Sequence, residues 1–181
     1  MGPNYRKLTM SCPEVEDSTF CPGQCIVLHG RYYAVAAARR CEVDIVVPAS
    51  KNPIDLSRPA GVKFPTGNAF VDLDCNDAYF VAAGSGIAAA VSFATHRKNM
   101  GRSTFVQVTG RNVRRKDVIE AFPCLAGTPL VCWDTAEWGR PLPHEMVTSA
   151  AVQTGSTVFF AGPRGMLESL RKEFPDVRHN Y

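Results

Sequence analysis

With 181 residues, of which 45% are hydrophobic and 20% charged, the chain can bury a real core but is too short for more than one or two small domains, and a disordered protein is excluded. Its 20 Lys and Arg against 17 Asp and Glu leave a net charge of +3, too mild a surplus to mark a polyanion-binding protein. Seven cysteines, an odd number without the dense pattern of a secreted disulfide scaffold, point to a reducing, intracellular compartment.

Residues 1–20 show neither an apolar signal core nor an Arg-rich amphipathic helix, so no targeting peptide is expected in the chain as it stands. Up to about Asp72 the runs are β-prone: 25–29, 32–37 and 43–47, separated by Pro22-Gly23, by Arg39-Arg40 and by a Pro-rich stretch over 48–65. They predict a small antiparallel barrel or sandwich. From Tyr79 the pattern changes to strands at 79–83, 104–109, 130–133 and 157–161. These alternate with helices at 87–97, 115–122, 143–150 and 166–173, the signature of a parallel, helix-covered sheet. The boundary falls in the polar stretch 72–77, giving units of 1–72 and 78–181. Residues 78–95 carry no formal charge and just reach the length of a membrane span, but Gly84-Ser85-Gly86 interrupts them; they read as strand, turn and helix, with no transmembrane segment.

Gly84-Ser85-Gly86-Ile87-Ala88-Ala89 follows a strand and opens a helix, the context of a G-x-G-x-x-A dinucleotide loop, where glycines admit a pyrophosphate and the helix start favours its charge. The same letters also fit a tight strand-to-helix turn that binds nothing. A nucleophile elbow is excluded because Ala83 stands where G-x-S-x-G needs glycine. After the next strand, where an NAD-specific unit would place an acid, stands Arg111, followed by Arg114, Arg115 and Lys116. An arginine there suits a 2′-phosphate, and a solvated basic turn is the alternative. Arg97, Lys98 and Arg102 extend this basic strip, yet no aromatic stacking pattern accompanies it, so no nucleic acid is expected. Gly162-Pro163-Arg164-Gly165-Met166 joins the last long strand to the last helix, at the sheet edge where the first glycine loop lies.

In chain order, Pro22-Gly23-Gln24, Arg31-Tyr32-Tyr33-Ala34, Phe64-Pro65-Thr66-Gly67 with Phe70, Gly84-Ser85-Gly86-Ile87-Ala88-Ala89 and Ala161-Gly162-Pro163-Arg164-Gly165-Met166 follow one another. This set resembles the ferredoxin-NADP reductase superfamily, which joins a flavin-binding β-barrel to a nucleotide-binding α/β domain. The resemblance implies that Arg31 would pair with flavin phosphate and Tyr33 would lie against the ring, with Gly84, Ser85, Gly86, Arg111, Gly162 and Pro163 as nucleotide contacts. The departures are equally specific. Ala34 lacks the family's ring-bonding hydroxyl, Ala161 lacks the thiol many members place beside the hydride path, and Ala89 replaces a proline. The turn over 48–57 has no glycine, and only about twenty residues precede Pro22, so the barrel is expected to be clipped.

Among the remaining residues, the cysteines match no zinc or iron-sulfur spacing and are expected to be structural and buried, and the four histidines form no metal pair. Trp133 and Trp138 bracket a polar loop and read as packing or interface residues, while a terminal Tyr181 echoes the tyrosine that covers the flavin in plant-type reductases. The expected function is therefore a reductase-like pseudoenzyme: a non-catalytic accessory subunit of a larger intracellular protein assembly, with the mitochondrion or another organelle as a candidate compartment and with no cofactor. The alternative is an NADPH-dependent flavin oxidoreductase using FAD and NADPH.

Overall fold

The computed structural model describes residues 5–13, 20–48, 62–148 and 156–180. Tyr181, the glycine-free turn beyond Pro48 and residues 149–150 of the expected third helix lie outside the described residues.

Five strands, β1 (Tyr5–Ser11), β2 (Cys25–Leu28), β3 (Arg31–Arg39), β4 (Glu42–Pro48) and β5 (Lys63–Thr66), form an antiparallel sheet in the order β1-β4-β3-β2-β5. The stretch before Pro22, which carries no clear strand signal, thus supplies β1, paired along its whole length with β4 from Tyr5 opposite Pro48 to Ser11 opposite Glu42. One face of this sheet is closed by its own cluster of Ile26, Leu28, Val35, Val43, Ile45 and Val47, with Phe20 stacked on Phe64 beside it.

The second sheet contains β6 (Ala78–Ala83), β7 (Phe105–Gly110), β8 (Leu130–Asp134), β9 (Thr157–Ala161) and a short β10 (Arg178–His179). All its pairs are parallel, in the order β10-β9-β6-β7-β8. Helices α1 (Ile87–Asn99), α2 (Arg115–Ala121), α3 (Pro143–Thr148) and α4 (Arg164–Glu173) occupy the crossovers. Among the described residues no helix is long and apolar enough to cross a membrane.

The uncharged run at 78–95 is explained by where α1 sits. It lies between the two sheets, in one cluster with Phe80, Ala82, Val106 and Phe159 of the parallel sheet and with Ala36 and Val46 of the antiparallel sheet. A helix covered on both sides has no polar face to present. Its small residues let both sheets approach, and Phe70 fills the junction, edge-on to Phe80, Phe93 and Phe159. The opposite face of the parallel sheet packs Tyr79, Val81 and Phe160 against Met146, Val147, Leu167 and Leu170. There α4 is amphipathic, with Leu167 and Leu170 buried and its charged residues outside.

The carboxyl end of α1 is closed by backbone bonds from Met100, Gly101 and Arg102, and a side chain of its last turn ties the neighbouring chain to it. Arg97, fully buried, donates to the carbonyls of Leu73 and Cys75 (2.8 and 2.7 Å), Asn76 (3.0 Å) and Ser103 (2.9 Å) and to the Thr104 hydroxyl (3.1 Å). Arg102 adds bonds to the Cys75 carbonyl and to Asn76 Oδ1, both at 3.1 Å. The basic strip expected from the sequence is corrected here: Arg97 is a buried clasp on the chain that joins the two sheets, and Arg102 reinforces it. Arg114 is likewise engaged, its guanidinium meeting both carboxylate oxygens of Asp117 at 2.8 and 3.1 Å.

Candidate functional site

Strands β6 and β9 are neighbours, with Ala82 opposite Ala161, so the two glycine-containing turns leave the same edge of the sheet side by side. At this point the strand order reverses: β7 and β8 extend to one side of β6 and β9 and β10 to the other. A crevice at such a switch point, outside the carboxyl ends of the strands, is where open α/β sheets receive ligands. It is present here, with a volume of about 590 Å³ and a lining that includes Gly84, Ser85, Gly86, Gly162 and Pro163. These are five of the eight residues expected from the sequence.

Helices α1 and α4 both begin at this crevice. Neither has a side-chain cap, and neither has an acidic residue in its first turn. Helix starts of this kind carry partial positive charge and offer it to an anion. The glycines, however, also answer to packing within the chain. A methyl group on Gly86 would overlap the Ala161 carbonyl, and one on Gly162 would come within 2.7 Å of the Ala83 side chain. Gly84 adopts a positive φ of 59°, which disfavours other residues.

The antiparallel sheet supplies the opposite wall through Tyr5, Cys25, Tyr32 and Ala34. Along β3 the side chains alternate, so Tyr32 and Ala34 face the crevice while Tyr33 packs on the sheet's own core with Phe64. Arg31 is exposed at the start of the strand and is not part of this lining. Arg111 borders a separate small cavity with Thr109, Gly110, Val108 and Tyr5. Asn180 closes one side of the crevice, its amide donating to the Gly23 carbonyl.

Ala34, Ala89 and Ala161, the three positions singled out as departures, all line this one crevice. The residues present thus fit the phosphates of a nucleotide, through two helix starts. They offer a flavin ring no hydroxyl at Ala34 and no thiol at Ala161. Cys25 is the thiol that does reach the wall, directly opposite Ala34 across the strands, and burial raises its pKa, keeping it protonated. Cys21 and Cys41 are exposed, which corrects the expectation of uniformly buried thiols. Sequence reasoning missed Tyr5, Tyr32, Cys25 and Asn180 as wall residues; only the strand alternation around Tyr32 and Ala34 could have signalled any of them.

The shared architecture is confirmed by solved structures. A ferredoxin reductase in carbazole 1,9a-dioxygenase, in its FAD apo form, superposes with a TM-score of 0.73 at 16% identity, over 98% of this chain and 62% of that one. The fold is that of the ferredoxin-NADP reductases. The flavohem-like FAD/NAD-binding domain of nitric oxide dioxygenase from Vibrio cholerae O1 biovar El Tor matches with a TM-score of 0.66 at 13% identity, over 99% of this chain and 92% of that domain. An intact type IV self-sufficient cytochrome P450 monooxygenase matches with a TM-score of 0.72 at 18% identity, over 97% of this chain but 25% of that one. No family model and no curated protein sequence matches the chain. This reductase-fold chain therefore spans about a quarter of the P450 protein and somewhat under two thirds of the ferredoxin reductase.

Proposed function

We propose that this chain is a reductase-fold nucleotide-binding protein that works as an accessory subunit of a larger intracellular assembly, without hydride transfer of its own. The observation that carries this reading is the convergence of Ala34, Ala89 and Ala161 on a crevice that also holds the starts of α1 and α4. Three methyl groups there leave the space and the helix-start charge needed to hold a nucleotide, and remove the side chains that would bond a reacting ring. Solved structures that share the fold include reductase-fold stretches of longer redox proteins, such as the P450 monooxygenase, of which this chain spans a quarter.

The test is the visible spectrum of the natively purified protein, followed by addition of FAD and NADPH under anaerobic conditions. The expected result is flavin well below one equivalent and no NADPH-dependent bleaching of added FAD. A stoichiometric flavin reduced by NADPH would establish the second reading, an NADPH-dependent flavin oxidoreductase. The paired helix starts and the nearby Arg111 favour that second reading.

A further inference from the structure

The register of β1 on β4 continues one residue past the end of the strand. Leu8 lies opposite Ile45 and Met10 opposite Val43. The next pair on that face is Cys12 and Cys41, joined by a backbone bond from the Cys12 N–H to the Cys41 carbonyl at 2.6 Å. Residues opposite each other in an antiparallel pair point to the same side of the sheet, and at a hydrogen-bonded pair their Cα atoms are about 5.5 Å apart. Disulfides most often span a Cα separation of roughly 5.5 to 6 Å. Both cysteines are thiols in this structure.

The two thiols differ in access. Cys12 is 3% exposed and belongs, with Val43 and Ile45, to the core of the antiparallel sheet, against which Leu8 and Met10 also pack. Cys41 is exposed, in the two-residue turn that joins β3 to β4 where Arg39 lies opposite Glu42. Its φ is 56°, a conformation for which glycine, asparagine or aspartate is the usual choice, so the turn itself does not require cysteine. Arg39 and Arg40, exposed beside it, favour the approach of an anionic reagent.

We propose that Cys41 and Cys12 form a site of thiol–disulfide exchange with small anionic disulfides of the glutathione type. The Cys41 thiol gives its proton to solvent and its sulfur attacks one sulfur of oxidised glutathione. That S–S bond breaks, a Cys41–glutathione mixed disulfide forms, and one glutathione leaves and takes up a proton. The Cys12 thiol then loses its proton and attacks the Cys41 sulfur, which expels the second glutathione and closes the Cys12–Cys41 bond. Two protein thiols are oxidised and one disulfide is reduced to two thiols. The product fastens β1, an edge strand whose single neighbour in the sheet is β4, at the end opposite Tyr5, the β1 residue in the crevice wall. The exchange needs no nucleotide in the crevice.

The experiment equilibrates the full chain at near-neutral pH with glutathione, from fully reduced to fully oxidised, and blocks the remaining thiols with N-ethylmaleimide in denaturant. Cross-links are mapped by mass spectrometry after digestion with trypsin and a Glu-specific protease, whose cuts at Glu14 and Glu16 separate Cys12 from Cys21. The oxidised parent is expected to carry a Cys12–Cys41 cross-link that reduced glutathione reverses, with amide exchange over β1 about 10-fold or more slower than in the reduced protein. Cys12→Ala should stop at the Cys41–glutathione adduct. Cys41→Ser, at an exposed position, should leave Cys12 a thiol. If Cys12→Ala does not fold, the parent map and Cys41→Ser decide. Cross-linking of Cys41 to Cys21 or Cys25, a stable glutathione adduct on Cys41 in the parent, or unmodified Cys12 and Cys41 at full oxidation overturns the proposal. A Cys12–Cys41 cross-link with unchanged exchange over β1 overturns the fastening of the strand.

Discussion

The two ends of α1 are opposites. At its amino end, beside Gly86, no side chain caps the helix and the neighbouring wall is made of glycine and alanine. At its carboxyl end, Met100 and Gly101 return backbone bonds to the last turn, and Arg97 satisfies carbonyls from residues 73, 75, 76 and 103. A helix end that is closed by its own chain holds structure together; one left open over a 590 Å³ crevice is available to a ligand. The contrast also separates two meanings of positive charge. Arg97 acts through burial, whereas the open end acts through helix partial charge that needs no cationic side chain.

The largest effect should come from breaking the closed end. Arg97→Leu leaves several buried carbonyls without a donor, and the loss in chemical denaturation is expected to be about 3 kcal/mol or more. Arg97→Lys should recover only part of it, because an ammonium cannot span the five acceptors that the guanidinium reaches. A change below about 1 kcal/mol for the leucine variant would show that the clasp is dispensable.

Next in size is the open end. Gly86→Ala forces a methyl against the Ala161 carbonyl and should cost about 1 to 3 kcal/mol while displacing the two turns that line the crevice. Gly165→Ala, in α4, meets nothing within 4 Å and is the matched control: it should stabilise the fold by about 0.5 to 1 kcal/mol. Thermal melts of the pair give the comparison directly.

Thiol chemistry sharpens the same contrast on a smaller scale. Alkylation near pH 8, followed by peptide mapping, should modify the exposed Cys21 and Cys41 first and Cys25 slowly. Cys132, whose pKa burial pushes up to about 11, should react slowest of these. Saturating nucleotide should protect Cys25, in the crevice wall, and leave Cys75, at the Arg97 clasp, unchanged. Equal protection of both would erase the distinction between the two ends.

The smallest effect concerns Asp117. Its hydrogen bonds to Arg114 hold the carboxyl pKa below its usual value, so its contribution to stability is present above the ordinary carboxylate range and is lost as pH falls through the lowered pKa. Asp117→Asn should therefore lower stability slightly near neutrality and flatten the acid side of the profile, so that variant and parent converge at low pH. An effect at neutral pH equal to that in acid would assign Asp117 a role other than this ion pair.

Much of this was legible in the residue order. The alternation after Tyr79 and the turns at Gly84 and Gly162 are local features, readable from spacing and side-chain type, whereas the three alanines stand out only against the motifs of the family that the chain resembles. Strands β1, β5 and β10 were not, because β1 and β5 lack the apolar alternation of a half-buried strand and β10 is two residues long. The basic strip was misread for a comparable reason. Arginine is normally a surface residue, and the carbonyls that bury Arg97 lie more than twenty positions away along the chain, apart from those near residue 103.

The sequence by itself determined that strands and helices alternate and that two glycine turns follow strands, because each depends on residues adjacent in the chain, and it set alanine at positions 34, 89 and 161. Only the tertiary structure decided that those alanines share one crevice and that Tyr32 rather than Tyr33 faces it. These facts depend on strand register and on the pairing of β6 with β9, interactions between segments tens of residues apart that no local pattern encodes.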